Sequence, residues 1–307
     1  MLSRIAESIF WIGRYVERAD VTARILDVQT QLLIEDPFVD EEELCRLLLN
    51  IMGVPQDGPA DQRTLLRLLL SDAKSPASVV ATLGAARESA RRARETLSTD
   101  MWSAINTTWR AISTGRVPGM RTNMAFEWVR ERSAVINGVA DSTMNRDESW
   151  HFLVLGRSIE RTDMTARLLT TTALAGVPSG GWQSALRACG AYEAFLRTYR
   201  GIETDREAAE FLLVDRMFPR SVMAALMAAE QCLEELGSTG HRVGFGDEAQ
   251  RLLGRARADL EYRRFTDILA NLPVEMEKLQ VTCSDAAEAI ALRYFDTSEQ
   301  VTWAGGF

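Results

Sequence analysis

The sequence predicts an all-α protein, a helical bundle built from two fused, pseudo-symmetric copies of one multi-helix unit. Three observations carry that prediction. Leu2, Ile5, Ile9, Ile12, Val16, Ala19, Ala23, Leu26, Thr30 and Leu33 fall three and four apart, which draws one apolar stripe down a long helix. Strand-like alternation bounded by turn residues is absent throughout. Finally, the stretch Gly13 to Leu26 returns as Gly156 to Leu169 with nine of fourteen positions identical. Ordinary composition gives roughly one such match by chance. The offset is 143 residues, and Leu69, Leu70, Asp72, Pro76, Ser78 and Val79 meet Leu212, Leu213, Asp215, Pro219, Ser221 and Val222 at that same offset. Two distant segments in one register point to a duplicated unit, with a first repeat over 1–142 and a second over 143–307 packed as one body.

In the first half the pattern predicts helices over 3–34, 41–52, 61–72, 76–96, 98–113 and 122–142. The second half predicts them over 145–174, 182–200, 205–214, 219–236, 248–270 and 273–295. In that half Phe152, Leu155, Ile159, Thr162, Ala166 and Leu169 repeat the apolar stripe. Breaks fall at Asp36-Pro37, Gly53 to Gly58, Gly115 to Gly119, Gly176 to Gly181 and Gly237 to Gly246. Pro76 and Pro219 suit the first turn of a helix, where a missing N–H costs nothing. The Trp side chains at 11, 102, 109, 128 and 150 fit helix contacts. No Ser- or Pro-rich linker parts the copies.

The 307 residues have an ordinary globular composition, 46% apolar and 25% charged, with a net charge of −8. That charge argues against a broad nucleic-acid face. No uncharged run is long enough to cross a bilayer, and the charged start leaves no apolar core for a signal peptide. Cys45, Cys189, Cys232 and Cys283 form no metal or redox spacing and read as reduced, buried thiols of a cytoplasmic protein. With only His151 and His241, a histidine-rich metal site is excluded, and no cofactor is called for.

Chemistry-bearing residues concentrate beside the apolar stripe. Phe10, Gly13, Glu17, Asp20 and Arg24 line one edge, and Leu153, Gly156, Glu160, Asp163 and Arg167 match them. Half-buried polar groups need partners. Arg14–Glu17 and Asp20–Arg24 can pair within their helix. Arg14 and Arg18, like Arg157 and Arg161, are like charges four apart, so they repel unless acids or an anion face them. Three readings stay open: an ion-pair network fixing how the copies dock, an anion pocket for carboxylate or phosphate, and a catalytic or metal-binding carboxylate pair of Glu17 and Glu160. A second candidate is the helix opening at Pro219. Phe218 would be a poor cap there, so free N–H groups with Arg220 and Ser221 would hold an anion, unless Asp215 caps locally. Third, Arg87, Arg91 and Arg92 stand where the second copy has Glu230, Glu234 and Glu235, either as solvated faces or as pairs across the pseudo-symmetry.

The run Ala6 to Asp20, with Gly13-Arg14-Tyr15-Val16-Glu17-Arg18, resembles the start of the bacterial alpha-E proteins, and so does Leu155 to Thr162. Phe218-Pro219-Arg220-Ser221 and Trp102 with Asn106 are similar to two further motifs of that family. The sequence departs from an even repeat at Ser158 and Thr162, which stand opposite Tyr15 and Ala19. Relatives typically accompany a circularly permuted ATP-grasp ligase and a transglutaminase-like cysteine peptidase. The resemblance therefore implies a helical partner of an ATP-grasp amidoligase in peptide or amide-bond formation or peptide tagging, holding an anionic group through its Arg/Glu clusters. The alternative is an enzyme in its own right, a peptidase or amide hydrolase using Glu17 or Glu160. Self-association stays open.

Overall fold

The computed structural model describes residues 1–117, 119–174, 181–200, 204–237 and 247–295. Among them every regular element is helical. Pro118, the breaks expected over 176–180 and 238–246, and His241 lie outside the described residues.

Two long helices form the centre, α1 (Ser3–Glu35) and, seventh in the chain, α7 (Glu148–Leu174). Between them run α2 (Glu41–Ile51), α3 (Gln62–Leu66), α4 (Val79–Arg92), α5 (Thr99–Ser113) and α6 (Thr122–Thr143). After α7 come α8 (Gly181–Ala188), α9 (Tyr192–Thr198), α10 (Asp205–Val214), α11 (Val222–Leu236), α12 (Glu248–Tyr262), α13 (Phe265–Ala270) and α14 (Leu272–Ile290). The segments Arg67–Ser71 and Ala291–Phe295 are single wide π-type turns extending α3 and α14. Against α1 pack α4 and α6, while α11 and α14 pack against α7, so the central pair is sheathed on both sides.

The apolar stripe explains why α1 sits at the centre. Ile9, Ile12, Val16, Ala19, Ala23 and Leu26 are all buried, and removing each large aliphatic chain from water contributes about 1.5–3 kcal/mol. One end of the central pair is closed by aromatics. The Phe295 ring lies 5.5 Å from Phe10 and 5.8 Å from Phe152, which ties the last described turn to both central helices. Trp128 is buried, and Trp11, Trp102, Trp109 and Trp150 pack half-buried against the core.

Several helices start or stop elsewhere than their pattern predicts. The helix expected at Pro76 begins at Val79, because Ser78 Oγ accepts from Ala81 N and donates to the Asp72 carbonyl, leaving Pro76 in the preceding turn. The same arrangement moves the helix expected at Pro219 to Val222, with Ser221 accepting from Ala224 N and donating to the Asp215 carbonyl. A left-handed glycine, Gly190 at φ 62°, splits the span 182–200 into α8 and α9. Arg263 turns extended and separates α12 from α13. The span 76–96 stops at Arg92 as a regular helix.

Candidate functional site: a Glu–Arg exchange between the central helices

Where α1 crosses α7 there are no side chains between the two backbones. A Cβ on Gly13 would run into the Leu153 carbonyl oxygen and stand 2.9 Å from the Arg157 nitrogen. On Gly156 it would run into the carbonyl oxygen of Phe10, whose carbonyl carbon would be 2.9 Å away. Glycine at both positions is therefore a requirement of close approach. That approach brings the next turn of each helix within side-chain reach of the other.

Glu160 crosses to α1. Arg14 Nε donates to its Oε2 at 2.7 Å, Arg18 Nε donates to Oε1, and Arg18 Nη2 donates to Oε2 at 3.0 Å. Glu17 crosses the opposite way. Arg161 donates through Nε at 2.7 Å and Nη2 at 2.8 Å, and Arg220 adds Nη1 at 3.0 Å. Both glutamates are wholly buried at 0% exposure. Burial raises each carboxyl's pKa, yet the facing guanidiniums outweigh it. Glu17 ends at about 2, with Arg161 and Arg220 responsible, and Glu160 is lowered by Arg14 and Arg18. Buried carboxylates held this way are ionised at neutral pH.

A second layer flanks the exchange. Asp20 accepts from Arg24 Nε at 3.0 Å and from Arg220 Nη2 at 2.5 Å. Among the described residues Asp163 is bonded by Arg167 alone, through Nε at 2.9 Å and Nη2 at 3.3 Å, and Arg167 also donates to the Ile51 carbonyl. Burial then wins at Asp163 and pushes its pKa up despite Arg167. Arg161 further donates to the Pro219 carbonyl at 3.0 Å. Asp215 accepts from Met217 N at 2.8 Å and Phe218 N at 2.7 Å, so it holds the turn before α11.

For Arg14, Arg18 and Arg161 the required acid is thus the chain's own, reached from the opposite helix. Within α1 the observed pair is Asp20–Arg24, while Arg14 leaves Glu17 for Glu160. The anion expected beside Arg220 is likewise protein: Glu17 and Asp20, not the N-terminus of α11, which Ser221 caps. Pairing of α4 with α11 is not what the charge-swapped residues do. Arg91 bonds Glu88 of its own helix at 2.7 Å, and Glu230 bonds Arg257 of α12. What sequence reasoning missed is that Arg220 closes the Glu17 side; its signal was the Ala77 standing at the matching position of the first half.

Arg157 is the odd member. It shares its register with Arg14, but Arg220 occupies the place on Glu17 that Arg14's counterpart would take. Its nearest acid is Asp141, 3.6 Å away on α6.

No group of three His, Cys, Asp or Glu among the described residues could hold a metal. Two open clefts, of about 550 Å³ beside Arg63, Arg67 and Met120 and about 470 Å³ beside Glu230 and Arg257, are lined by neither Glu17 nor Glu160. None of the described helices is long and apolar enough to cross a membrane.

A family model described as a predicted alpha-helical domain with a conserved ER motif matches residues 1–295. Glu17-Arg18 and Glu160-Arg161 are the Glu-Arg pairs of the exchange. The chain is similar to an uncharacterised protein of Mycobacterium bovis, 27% identical over 267 residues, covering 77% of this chain and 30% of that protein. Uncharacterised proteins of two Mycobacterium tuberculosis strains match over the same shares at 27% and 26% identity. The chain therefore spans about a third of the length of these relatives. No solved structure matches it.

Proposed function

The chain belongs to the Alpha-E family, and from that premise we propose that it is a non-catalytic helical partner of an ATP-grasp amidoligase in peptide or amide-bond formation. We read it as two copies of one helical unit, 1–142 and 143–307, joined through the Gly13–Gly156 crossing and locked by the Glu–Arg exchange. A cytoplasmic setting and a transglutaminase-like peptidase as further companion belong to the same reading.

The observation that carries it is the saturation of Glu17 and Glu160. A general base needs a lone pair open to substrate and a pKa near the working pH. Both glutamates are buried and ionised, and both oxygens of each accept from arginine, with their pKa values moved away from that range. A joint between helices uses those same properties. The match to only 30% of the relatives' length supports the partner reading too, since there the unit is one portion of a larger polypeptide.

Co-purification and ligase assays with and without this chain test the proposal. The expected result is physical association together with a higher ligase rate or a lower KM for the acceptor substrate. Equal rates and no association would overturn it. Peptide turnover by the isolated chain, lost in a Glu17→Gln variant that keeps its helicity, would put the independent enzyme in its place.

A further inference from the structure

We propose that Arg157 is an open oxyanion-binding site, a guanidinium released from the Glu–Arg exchange and presented beside Trp150 and Arg146 to a small carboxylate or phosphate. The inference stands apart from the ligase partnership, because it concerns the isolated chain.

The exchange is asymmetric. Glu160 takes Arg14 and Arg18, which lie on one helix, but Glu17 takes Arg161 of α7 and Arg220 of the turn before α11. Arg157 is thereby displaced. Its side chain is only 17% exposed, yet among the described residues it makes no hydrogen bond. Every other arginine of the exchange donates at least one bond to a carboxylate at 3.0 Å or less. Its guanidinium nitrogens keep contact with solvent, so the fork is free to take an acceptor that arrives from outside the chain.

The groups facing Arg157 decide the ligand's charge. Asp141 on α6 is half exposed at 3.6 Å, beyond hydrogen-bonding distance. Arg161 on the same helix repels it, Glu17 attracts it from α1, and Cys232 faces it from α11. The Trp150 ring lies 5.9 Å from its guanidinium carbon, and Arg146 stacks on that ring at 3.5 Å while donating to the Asp141 carbonyl. Burial and Arg161 together lower its pKa, so the cation is under-compensated where it stands. The guanidinium fork matches carboxylate and phosphate alike, and Arg146 supplies a second positive charge at the rim. Asp141 would be the competitor that a bound oxyanion displaces.

Thermal melts of the whole chain in sodium phosphate or sodium glutamate, against sodium chloride at equal ionic strength, read the site. The expected result is a rise in Tm of about 2 °C or more with at least one of the two anions, absent in Arg157→Met and larger in Asp141→Asn. A response to phosphate alone or to glutamate alone supports the site and identifies the oxyanion it takes. In chloride, Arg157→Met should melt no lower than the wild type, because it removes an uncompensated charge. The proposal fails if neither anion shifts the wild type, or if Arg157→Met responds as the wild type does. It also fails if Arg157→Met and Asp141→Asn each lower the melt in chloride as far as Arg161→Met, since Arg157–Asp141 would then be an ordinary structural pair.

Discussion

Arg220 Nη1 meets Glu17 Oε1 at 3.0 Å across 203 positions of sequence, and its Nη2 meets Asp20 at 2.5 Å. One guanidinium so bridges two carboxylates a turn apart on α1 and pins the start of α11 to the central pair. The environment raises its pKa through Glu17 and Asp20 even though burial opposes it.

Arg220→Ala should accordingly destabilise the fold by about 3–5 kcal/mol, the usual cost of leaving buried charge unpaired. Arg220→Lys keeps the charge but cannot reach both carboxylates with one rigid fork, so it should fall between. Urea denaturation checks this: the midpoint should drop while the slope stays constant. An unchanged midpoint in Arg220→Ala would mean that Arg161 alone compensates Glu17.

The Gly13–Gly156 crossing makes a sharper test of geometry. Gly13→Ala and Gly156→Ala each push a methyl group into main-chain atoms of the opposite helix, which cannot rotate away. Overpacking of this kind costs about 1–3 kcal/mol or more, and here it also pulls the Glu–Arg bonds apart. The double variant should be less than additive, because the first substitution already separates the helices. Gly138→Ala on α6 is the control. Nothing lies within 4 Å of its added Cβ, so it should stabilise by about 0.5–1 kcal/mol. Chemical denaturation of the four variants gives the ranking.

How far the sequence made this legible differs from residue to residue. The helical class and the central role of α1 followed from a stripe whose members are buried, Ile9 to Leu26. Like charges at Arg14/Arg18 and Arg157/Arg161 required facing acids; Glu160 meets both members of the first pair and Glu17 meets Arg161, while Arg157 is left with Asp141 at 3.6 Å. Which acid faces which arginine was not legible, because it depends on a backbone crossing defined by the approach of Gly13 to the main chain at Leu153 and of Gly156 to that at Phe10. Helix starts at 76 and 219 misled because proline suits a first turn, but Ser78 and Ser221 could both cap forward and bond back to an aspartate carbonyl. Arg220 was singled out for opposing a helix dipole, whereas its partners come from tertiary packing two hundred residues away.

The four cysteines should be inert in the folded chain. All are buried, and burial pushes the thiols of Cys45 and Cys232 up to about 12 and that of Cys189 to about 11, with Cys283 raised as well. A thiol reagent at pH 8 should therefore modify the native protein slowly and all four sites rapidly in denaturant. Fast labelling of one native cysteine would show local opening at its helix.

Acid should weaken the fold through the exchange itself. The Glu17 pKa falls from an ordinary 4.5 to about 2 on folding, because Arg161 and Arg220 hold the charged form against burial. A carboxyl depressed in this sense contributes stability that is complete above its unfolded value and is lost as pH falls toward its folded one. Glu160 shifts in the same direction through Arg14 and Arg18. Asp163 works the other way: its folded pKa is raised above 3.8, so its proton uptake on acidification favours the fold and partly offsets the loss. Melting temperature should thus hold above pH 5 and decline between about pH 4.5 and 2. Glu17→Gln should melt lower at pH 7 but lose less on going to pH 3, since it has no charge left to neutralise. Asp163→Asn should steepen the acid decline. Equal slopes in the wild type and Glu17→Gln would show that the acid sensitivity arises from other carboxylates.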